Sequence, residues 1–345
     1  MEISINWKRA EKIFSRLLKM LENKEPPFDK ALGPHREENM PGNLKLGGRE
    51  HALFFFCCCY YMRGGIKSDQ AIKSLGRIYE KHSQLFDPLT FSPEVFLTKE
   101  QEIIDILSLE KSLNYGIKDI ARFWVKNFYK LATYWEGNPI NLFEKISNYE
   151  DLCAVVQNRG HFKLHQPNGF YGFQEKMVSM LAFFLADTDI IPTFSFPVPV
   201  DFHVLRMVVS QDLLKIKNGG DIIDFRNPQI LATIRQMSEN YCYKHNVDAR
   251  RLSDVLWLYS GAMCNNSPGN TVSHGDYQAR STKLERKGEK NWSKTNNKNY
   301  YRYCGQCQIQ DTCKYDVPSG YYYVQGRLTR KPKHTPLQLT LFSNQ

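Results

Sequence analysis

The sequence predicts a mainly α-helical fold, and three observations support that class. Apolar residues recur at helical spacing through most of the chain, Gly, Pro and polar residues separate the periodic segments, and strand patterns are scarce. The chain has 345 residues, 42% of them hydrophobic, so it can bury the cores of two ordinary domains or of one large domain. We find no internal repeat.

The helices follow in order along the chain. Amphipathic spacing predicts a first helix over 4–24, and a linker rich in Pro, Gly and charge follows over 25–50. The apolar run after Glu50 ends at Gly64-Gly65 and predicts a buried helix, although its aromatic content also suits a strand. Its three adjacent cysteines point in divergent directions, so we expect buried apolar side chains rather than metal ligands. Further helices are predicted over 69–84, 99–113, 117–135, 140–147, 173–186, 201–216, 227–243 and 249–263.

Composition narrows the functional class. The longest apolar run, Ala52–Met62, has 11 residues, whereas a membrane-spanning helix needs roughly 20. A formal net charge of +10 favours polyanionic partners, nucleic acid before anionic membrane. Nine cysteines in a chain without a signal-peptide pattern indicate metal binding or burial rather than disulfides. We therefore expect a monomeric, cytoplasmic, nucleoid-associated protein with no membrane contact.

Three cysteines near the C-terminus form the most specific pattern. Cys304, Cys307 and Cys313 have the spacing C-x2-C-x5-C, with a Gly inside the first pair and Lys-Tyr after the last cysteine. Cys264 lies upstream, at the end of a predicted helix that contains Trp257-Leu258. Four thiolates can hold an iron–sulfur cluster or a zinc ion, and buried free thiols are the structural alternative.

This stretch resembles the iron–sulfur loop of the endonuclease III family of DNA glycosylases, in which a cluster rigidifies a basic loop that grips DNA. In that family six residues separate the first two ligands, whereas 39 residues separate them here, so Cys242 is an alternative first ligand. The resemblance implies a [4Fe–4S] cluster held by Cys264, Cys304, Cys307 and Cys313.

A second segment carries the candidate catalytic acid. Residues 197–206 read Pro-Val-Pro-Val-Asp-Phe-His-Val-Leu-Arg and resemble the Val-Asp-x-His-Val-x-Arg signature of the helix-hairpin-helix glycosylase superfamily. Asp201 matches the essential aspartate of that signature. A carboxylate at this point stabilises the positive charge that builds on the sugar as an N-glycosidic bond breaks. A plain helix N-cap is the structural alternative. The resemblance also implies that His203 and Arg206 help to bind DNA.

Bifunctional members of the superfamily use a lysine after the hairpin as a Schiff-base nucleophile, and Lys176 is the candidate here. The hairpin candidates are Gly169 and Gly172, whose turn could hold a DNA phosphate with backbone N–H groups. The family hairpin reads Leu-Pro-Gly-Val-Gly-x-Lys, so both the glycine spacing and the lysine position differ. The 25-residue interval from Lys176 to Asp201 and the Pro-Val-Pro-Val lead-in are more similar to 8-oxoguanine glycosylases. That likeness favours an oxidised purine as target, with oxidised pyrimidines and mispaired bases as the alternatives.

Two basic segments complete the sequence. Residues 265–299 contain almost no aliphatic residues, and we expect a mobile basic loop that orders on DNA through residues such as Arg280, Lys283, Arg286 and Lys287. The tail resembles the Gln-Leu-x-Leu-Phe peptide that docks bacterial repair proteins on the sliding clamp, through Gln338, Leu339, Leu341 and Phe342. A tail that packs back on its own domain is the alternative.

The resemblance covers roughly residues 50 to 315 and implies an all-α, two-domain helix-hairpin-helix glycosylase fold with double-stranded DNA as partner. It implies four parts. They are an N-terminal helix and linker (1–49) that packs with the cluster domain, a six-helix barrel domain with the hairpin (50–190), a cluster domain (191–325) and a flexible tail (326–345). The expected function is base-excision repair by an N-glycosylase with AP (β) lyase activity. A monofunctional glycosylase and a non-catalytic, damage-sensing DNA-binding protein are the alternatives.

Overall fold

The computed structural model describes residues 1–30, 33–160, 163–217, 222–264, 277–280, 283–286, 302–303, 305–313, 321–324 and 327–330. Within them the protein is mostly helical, as predicted. The α-helices are α1 (Trp7–Glu22), α2 (Arg49–Tyr61), α3 (Ser68–His82), α4 (Phe96–Glu110), α5 (Ile117–Tyr134), α6 (Tyr149–Val156), α7 (Glu175–Asp187), α8 (Phe202–Ser210), α9 (Pro228–His245) and α10 (Ala249–Ala262). The strands are β1 (Glu2–Ile5), β2 (Leu214–Lys217), β3 (Ile222–Asp224), β4 (Tyr277–Arg280), β5 (Lys283–Arg286), β6 (Tyr321–Val324) and β7 (Arg327–Arg330).

The chain forms two compact units that are interleaved along the sequence. Each unit takes residues from distant parts of the chain, so neither is a continuous segment. No helix in the described ranges combines the length and the apolar character that crossing a membrane requires. Unit 1 comprises Met1–Arg16, Phe202–Thr233 and Tyr259–Gln345, and unit 2 comprises Leu17–Asp201 and Ile234–Leu258.

Helix α2 is the centre of unit 2. Every residue from His51 to Tyr61 is buried, because this helix is apolar on all sides and packs against α3, α5 and α7. The three cysteines Cys57–Cys59 are fully buried, which confirms that they fill the core. Trp124 and Phe173 are also fully buried, so both belong to the core as aromatic packing residues.

Unit 1 contains a strand pairing that the sequence did not predict. Strand β1 pairs antiparallel with β2, and Ile3 lies opposite Ile216. The predicted helices over 4–24 and 201–216 were therefore too long, since each gives way to a strand at one end. Helix α8 ends at Ser210, and Asp212 then adopts a positive φ of 55°, which breaks the helix before β2 begins.

Local structure before α6 also differs from the prediction. The segment predicted as a helix over 140–147 forms a short 3-10 helix at Pro139–Phe143, and α6 begins only at Tyr149. The side chain of Asn148 accepts a hydrogen bond from the amide of Asp151, so it caps α6 at the N-terminus.

Part of the basic insertion also differs from the predicted loop, because β4 and β5 pair antiparallel within it. Backbone pairing of this kind does not require a run of aliphatic residues.

Candidate active site

Unit 2 contains a cavity that includes the predicted catalytic acid. Its empty space of about 420 Å³ includes open solvent, so it is a partly open cavity and not a closed one. The residues that line it come from 33–35, the N-terminus of α3, α7, 199–201 and α10. The lining residues are Gly33, Pro34, His35, Ser68, Met180, Phe183, Phe184, Pro199, Asp201, Ser253, Asp254 and Trp257.

Helix α7 provides the apolar wall of the cavity. Met180, Phe183 and Phe184 follow the i, i+3, i+4 spacing of one helix face, and all three are buried. The extended, Pro-rich segment before α8 then delivers Pro199 and Asp201 to the same cavity, because proline favours an extended chain over a helix. The cavity is thus mostly apolar, with a small number of polar groups at fixed points.

Two carboxyl groups line this cavity. Asp201 is the residue directly before α8, and it is 9% exposed. Asp254 lies on α10, and burial raises the pKa of its carboxyl to about 7, assisted by the nearby negative charge of Asp187. The guanidinium of Arg36 lies 3.4 Å from Asp254 Oδ2 and opposes that shift. Near neutral pH, Asp254 therefore exchanges a proton readily, and its oxygens can accept hydrogen bonds from a ligand.

His35 is a second polar group of the cavity wall. Its Nε2 lies 2.6 Å from Asp187 Oδ2, and burial lowers the pKa of the ring. A neutral imidazole then donates its Nε2 hydrogen to Asp187, which leaves Nδ1 as an acceptor. Among the described residues, buried Nδ1 has no hydrogen-bond partner. A Cβ at Gly33 would lie 2.9 Å from Nδ1, so only glycine leaves this space beside the ring.

Lys176 lies in the first turn of α7 and is half-buried. It is not among the lining residues, but it precedes Met180 by four positions and Phe183 by seven. This spacing places Lys176 on the same face of α7 as the apolar wall, one turn nearer the N-terminus of the helix. Burial raises the pKa of the Cys59 thiol, and the nearby ammonium of Lys176 opposes that change. The prediction that Lys176 begins a helix is confirmed.

The glycine turn before α7 has the backbone geometry that requires glycine. Gly169 and Gly172 have φ values of 76° and 82°, in the left-handed region. A Cβ at Gly172 would lie only 2.7 Å from Cβ of Tyr60. The amide of Gly169, however, donates to the carbonyl of Val155 at 2.8 Å, so this group is already used inside the protein. Phosphate binding by the Gly169 amide would need that bond to break.

His203 and Arg206, the residues of the Asp201 segment that were predicted to bind DNA, lie in unit 1 and are buried. Nδ1 of His203 lies 3.3 Å from Oγ of Ser260, and the guanidinium of Arg206 lies 4.9 Å from the ring centre of Phe202. His203 is 9% exposed and Arg206 is 5% exposed. Little of either side chain can reach a DNA phosphate directly, so their predicted DNA contacts stay a prediction.

The predicted cluster ligands are described in part. Cys264, Cys307 and Cys313 belong to unit 1, whereas Cys242 belongs to unit 2 and Cys304 lies outside the described residues. The hydroxyl of Tyr259, near the end of α10, lies 3.1 Å from Sγ of Cys307. The loop with Cys307 therefore packs against the helix that leads to Cys264. No group of three or more metal-binding side chains comes together in the described part of the chain.

Helix α1 fixes the same loop from another side. The guanidinium of Arg9 donates to the carbonyl of Thr312 at 2.9 Å, and Lys12 and Arg16 form ion pairs with Asp311. The predicted DNA-binding side chains of the insertion, Arg280, Lys283, Arg286 and Lys287, lie outside the described side chains. The predicted clamp-binding residues Gln338, Leu339, Leu341 and Phe342 lie outside the described residues as well.

Comparison with known protein families and with curated proteins finds no match for this chain. The lining residues His35, Asp254 and Trp257 were not predicted as site residues. His35 lies in a segment that resembled a linker, and Asp254 with Trp257 resembled the polar edge of an ordinary amphipathic helix. The i, i+3 spacing of an Asp and a Trp was the one available signal, and it is too common to identify a site.

Proposed function

We propose that this protein is a DNA base-excision repair glycosylase that also cleaves the DNA strand by β-elimination. One observation carries the proposal, namely the position of Asp201 in the wall of an apolar cavity of about 420 Å³. In this proposal a base that has left the duplex lies against the apolar and aromatic side chains of this wall. The two-domain helix-hairpin-helix architecture with a cluster domain is part of the same proposal.

Asp201 is the residue that acts on the sugar. As the N-glycosidic bond breaks, positive charge develops on the deoxyribose, and the Asp201 carboxylate stabilises that charge at short range. The apolar walls strengthen this interaction, because a bound base displaces water that would otherwise screen it. Helix capping by Asp201 is compatible with this role.

Lys176 is the proposed nucleophile. Its amine attacks C1′ of the deoxyribose as the base leaves, and the resulting Schiff base permits elimination of the 3′-phosphate. The shared face of Lys176, Met180 and Phe183 on α7 supports this role, since a ligand beside the apolar wall lies toward the lysine.

The polar groups of the cavity favour a base that presents N–H donors. Asp254 Oδ1 is an acceptor in the cavity wall, whereas Oδ2 pairs with Arg36 at 3.4 Å and Nδ1 of His35 is buried behind the wall. Guanine-type bases carry several N–H donors, and oxidation at C8 adds another one. This chemistry agrees with the likeness of residues 197–201 to 8-oxoguanine glycosylases, so an oxidised purine is the preferred target.

The cluster and the basic segments belong to DNA binding in this proposal. Cys264, Cys304, Cys307 and Cys313 would hold the [4Fe–4S] cluster, which when bound supplies a rigid scaffold rather than a reaction step. Packing of Cys307 against the helix before Cys264 supports Cys264 over Cys242 as first ligand. The residues Arg280 to Lys287 would bind the backbone of double-stranded DNA, and the tail would dock on the bacterial sliding clamp.

The test uses purified full-length protein and duplexes that each carry one lesion: 8-oxoguanine, thymine glycol, uracil, or adenine opposite 8-oxoguanine. Base release is measured with and without borohydride, which traps a Schiff base. We expect release of 8-oxoguanine, loss of release in Asp201→Asn and loss of the trapped adduct in Lys176→Ala. The matched controls, Asp105→Asn and Lys145→Ala, change exposed residues of the same unit and should keep full activity.

Other outcomes separate the alternatives. Release without a trapped adduct would identify a monofunctional glycosylase and remove Lys176 from the mechanism. Tight DNA binding with no release from any duplex would refute the enzyme proposal and support a damage-sensing protein. Failure to bind DNA at all would refute both.

A further inference from the structure

A buried lysine of α5 binds the loop that precedes α7. The Nζ atom of Lys130 donates to the carbonyl oxygens of Lys163, Asn168 and Gly169, at 3.3, 2.6 and 2.5 Å. Lys130 is fully buried, and its ammonium lies 5.3 Å from the ring centre of Phe170. One ammonium has three N–H donors, so three converging carbonyls satisfy all of them.

Two neighbouring side chains bind the same loop. Asn127, one turn earlier on α5, donates to the carbonyl of Tyr171 at 2.9 Å and accepts from its amide at 2.7 Å. The indole of Trp135, directly after α5, donates to the carbonyl of Pro167 at 3.2 Å. We name residues 163–171 the tethered loop, because α5 and the residue after it hold this segment from the inside, mainly through hydrogen bonds to its backbone.

The outer face of the tethered loop is polar and basic. Lys163 and His165 are exposed, and Arg159 is exposed just before the loop. The sequence has no Asp or Glu between 152 and 174, so no acidic side chain of this stretch offsets these groups. Since the Gly169 amide is used internally, the loop offers side chains rather than backbone N–H groups to a partner.

The ammonium of Lys130 fixes the loop at a cost in stability. Burial of an ammonium is costly even when hydrogen bonds compensate it, and burial lowers the pKa of Lys130 to about 8. An apolar side chain of similar size would avoid the cost of the charge, but it would leave three carbonyl oxygens of the loop without their donor. What an apolar side chain could not do is hold three carbonyls of one loop in a fixed arrangement.

We propose that Lys130 is a positioning residue for DNA binding, and that the tethered loop is a preformed surface for the sugar–phosphate backbone. The inference rests on the proposed DNA binding, but it does not depend on the chemistry at Asp201. Lys130 acts from inside by fixing the path of the loop, and Lys163 with His165 contacts the phosphates. A preformed loop binds more tightly because it loses less conformational freedom on binding.

A double-mutant cycle tests the proposal with undamaged duplex DNA over a range of salt concentrations. Lys163→Ala removes one exposed charge and should lower the slope of log Kd against log salt by about one. Lys130→Met removes a group that cannot touch DNA, and we expect affinity to fall on the order of tenfold because the loop must then order on binding. The double variant should bind no more weakly than Lys130→Met. Additive losses would overturn the proposal.

Chemical rescue separates positioning from a general structural role. In Lys130→Ala, propylammonium chloride can place an ammonium among the three free carbonyls and should restore DNA affinity. Tetramethylammonium chloride at equal ionic strength has no N–H donor and should not. Equal effects of the two salts would contradict the proposal.

If both Lys130 variants unfold, hydrogen exchange measured on the unmodified protein takes the place of the experiments with the variants. The amides of the tethered loop should be protected before DNA is added and further protected after, and fast exchange in the free protein would refute a preformed loop.

Failure of this inference differs from failure of the proposed function. If the unmodified protein does not bind DNA, the proposed function fails. If it binds DNA and Lys130→Met binds equally well, only the role of Lys130 fails. Lys145→Ala is the control for loss of one positive charge, since Lys145 is exposed and outside the tethered loop.

Discussion

Replacement of Asp254 by Asn should stabilise the protein at neutral pH and above. The carboxyl group lies in the cavity wall with its side chain 14% exposed, and burial raises its pKa from an ordinary value of 3.8 to about 7. The folded protein thus holds this proton more tightly than the unfolded chain does. Below pH 4 both states are protonated, and the group has no net effect. As the pH rises from 4 to 7, the group progressively destabilises the fold.

The magnitude follows from the two pKa values. A difference of about 3 units, at 1.36 kcal/mol for each unit, gives an upper limit of about 4 kcal/mol. Asn has nearly the same shape and no charge, and Arg36 keeps its other ion pair, to Asp187 at 3.1 Å. At pH 8 we therefore expect Asp254→Asn to be more stable by up to about 4 kcal/mol, and at pH 4 we expect a difference of less than about 1 kcal/mol.

Urea unfolding, followed by circular dichroism between pH 4 and pH 8, measures both free energies of unfolding. All other titrating groups are shared, so the difference between the two proteins isolates Asp254. Asp105→Asn, on the exposed side of α4, is the control and should change stability by less than about 0.5 kcal/mol at any pH. A constant difference across this pH range would refute the argument, because it would show that Asp254 titrates normally.

Three further outcomes are expected. Gly172→Ala should destabilise the fold by about 2–4 kcal/mol in urea unfolding, from the positive φ and the contact with Tyr60, and a smaller loss would mean that the turn can rearrange. Asp311→Asn should cost less than about 1 kcal/mol, because its ion pairs with α1 are exposed, and high salt should abolish the difference. The thiols of Cys57–Cys59 should resist iodoacetamide until the protein unfolds, since burial raises their pKa values; labelling of the folded protein, detected by mass spectrometry, would contradict this.

The local pattern of apolar residues was sufficient to predict most of the helices. Helix α5 was predicted over 117–135 and extends over Ile117–Tyr134, because its apolar face repeats over five turns. Buried α2 was predicted from its continuous apolar run. The strand β2 was missed because Leu214–Lys217 becomes a strand only by pairing with β1, and that partner lies about 200 residues earlier in the chain. Both segments alternate polar and apolar residues, Glu-Ile-Ser-Ile and Leu-Lys-Ile-Lys, but four residues of alternation are too short to outweigh the adjoining helical pattern.

The candidate site could likewise be predicted from the sequence only in part. Asp201 could be predicted because it belongs to a short signature with a recognisable order of residue types. The cavity around it could not, since His35, Asp254 and Met180 come from separate segments that only the folded chain brings together. Burial of His203 and Arg206 was also missed, because α8 is enclosed on nearly all sides and its polar residues sit among apolar ones.

The pairing of β1 with β2 has a consequence for synthesis on the ribosome. Asn6 donates to the carbonyl of Asp212, and 206 positions separate the two residues. At roughly 5–20 residues per second, the N-terminal segment waits on the order of 10–40 s for its partner to emerge. During that interval the apolar face of α1, with Ile13 and Phe14, has no completed unit to cover it. The apolar face of α1 is therefore open to chaperones until β2 has been made.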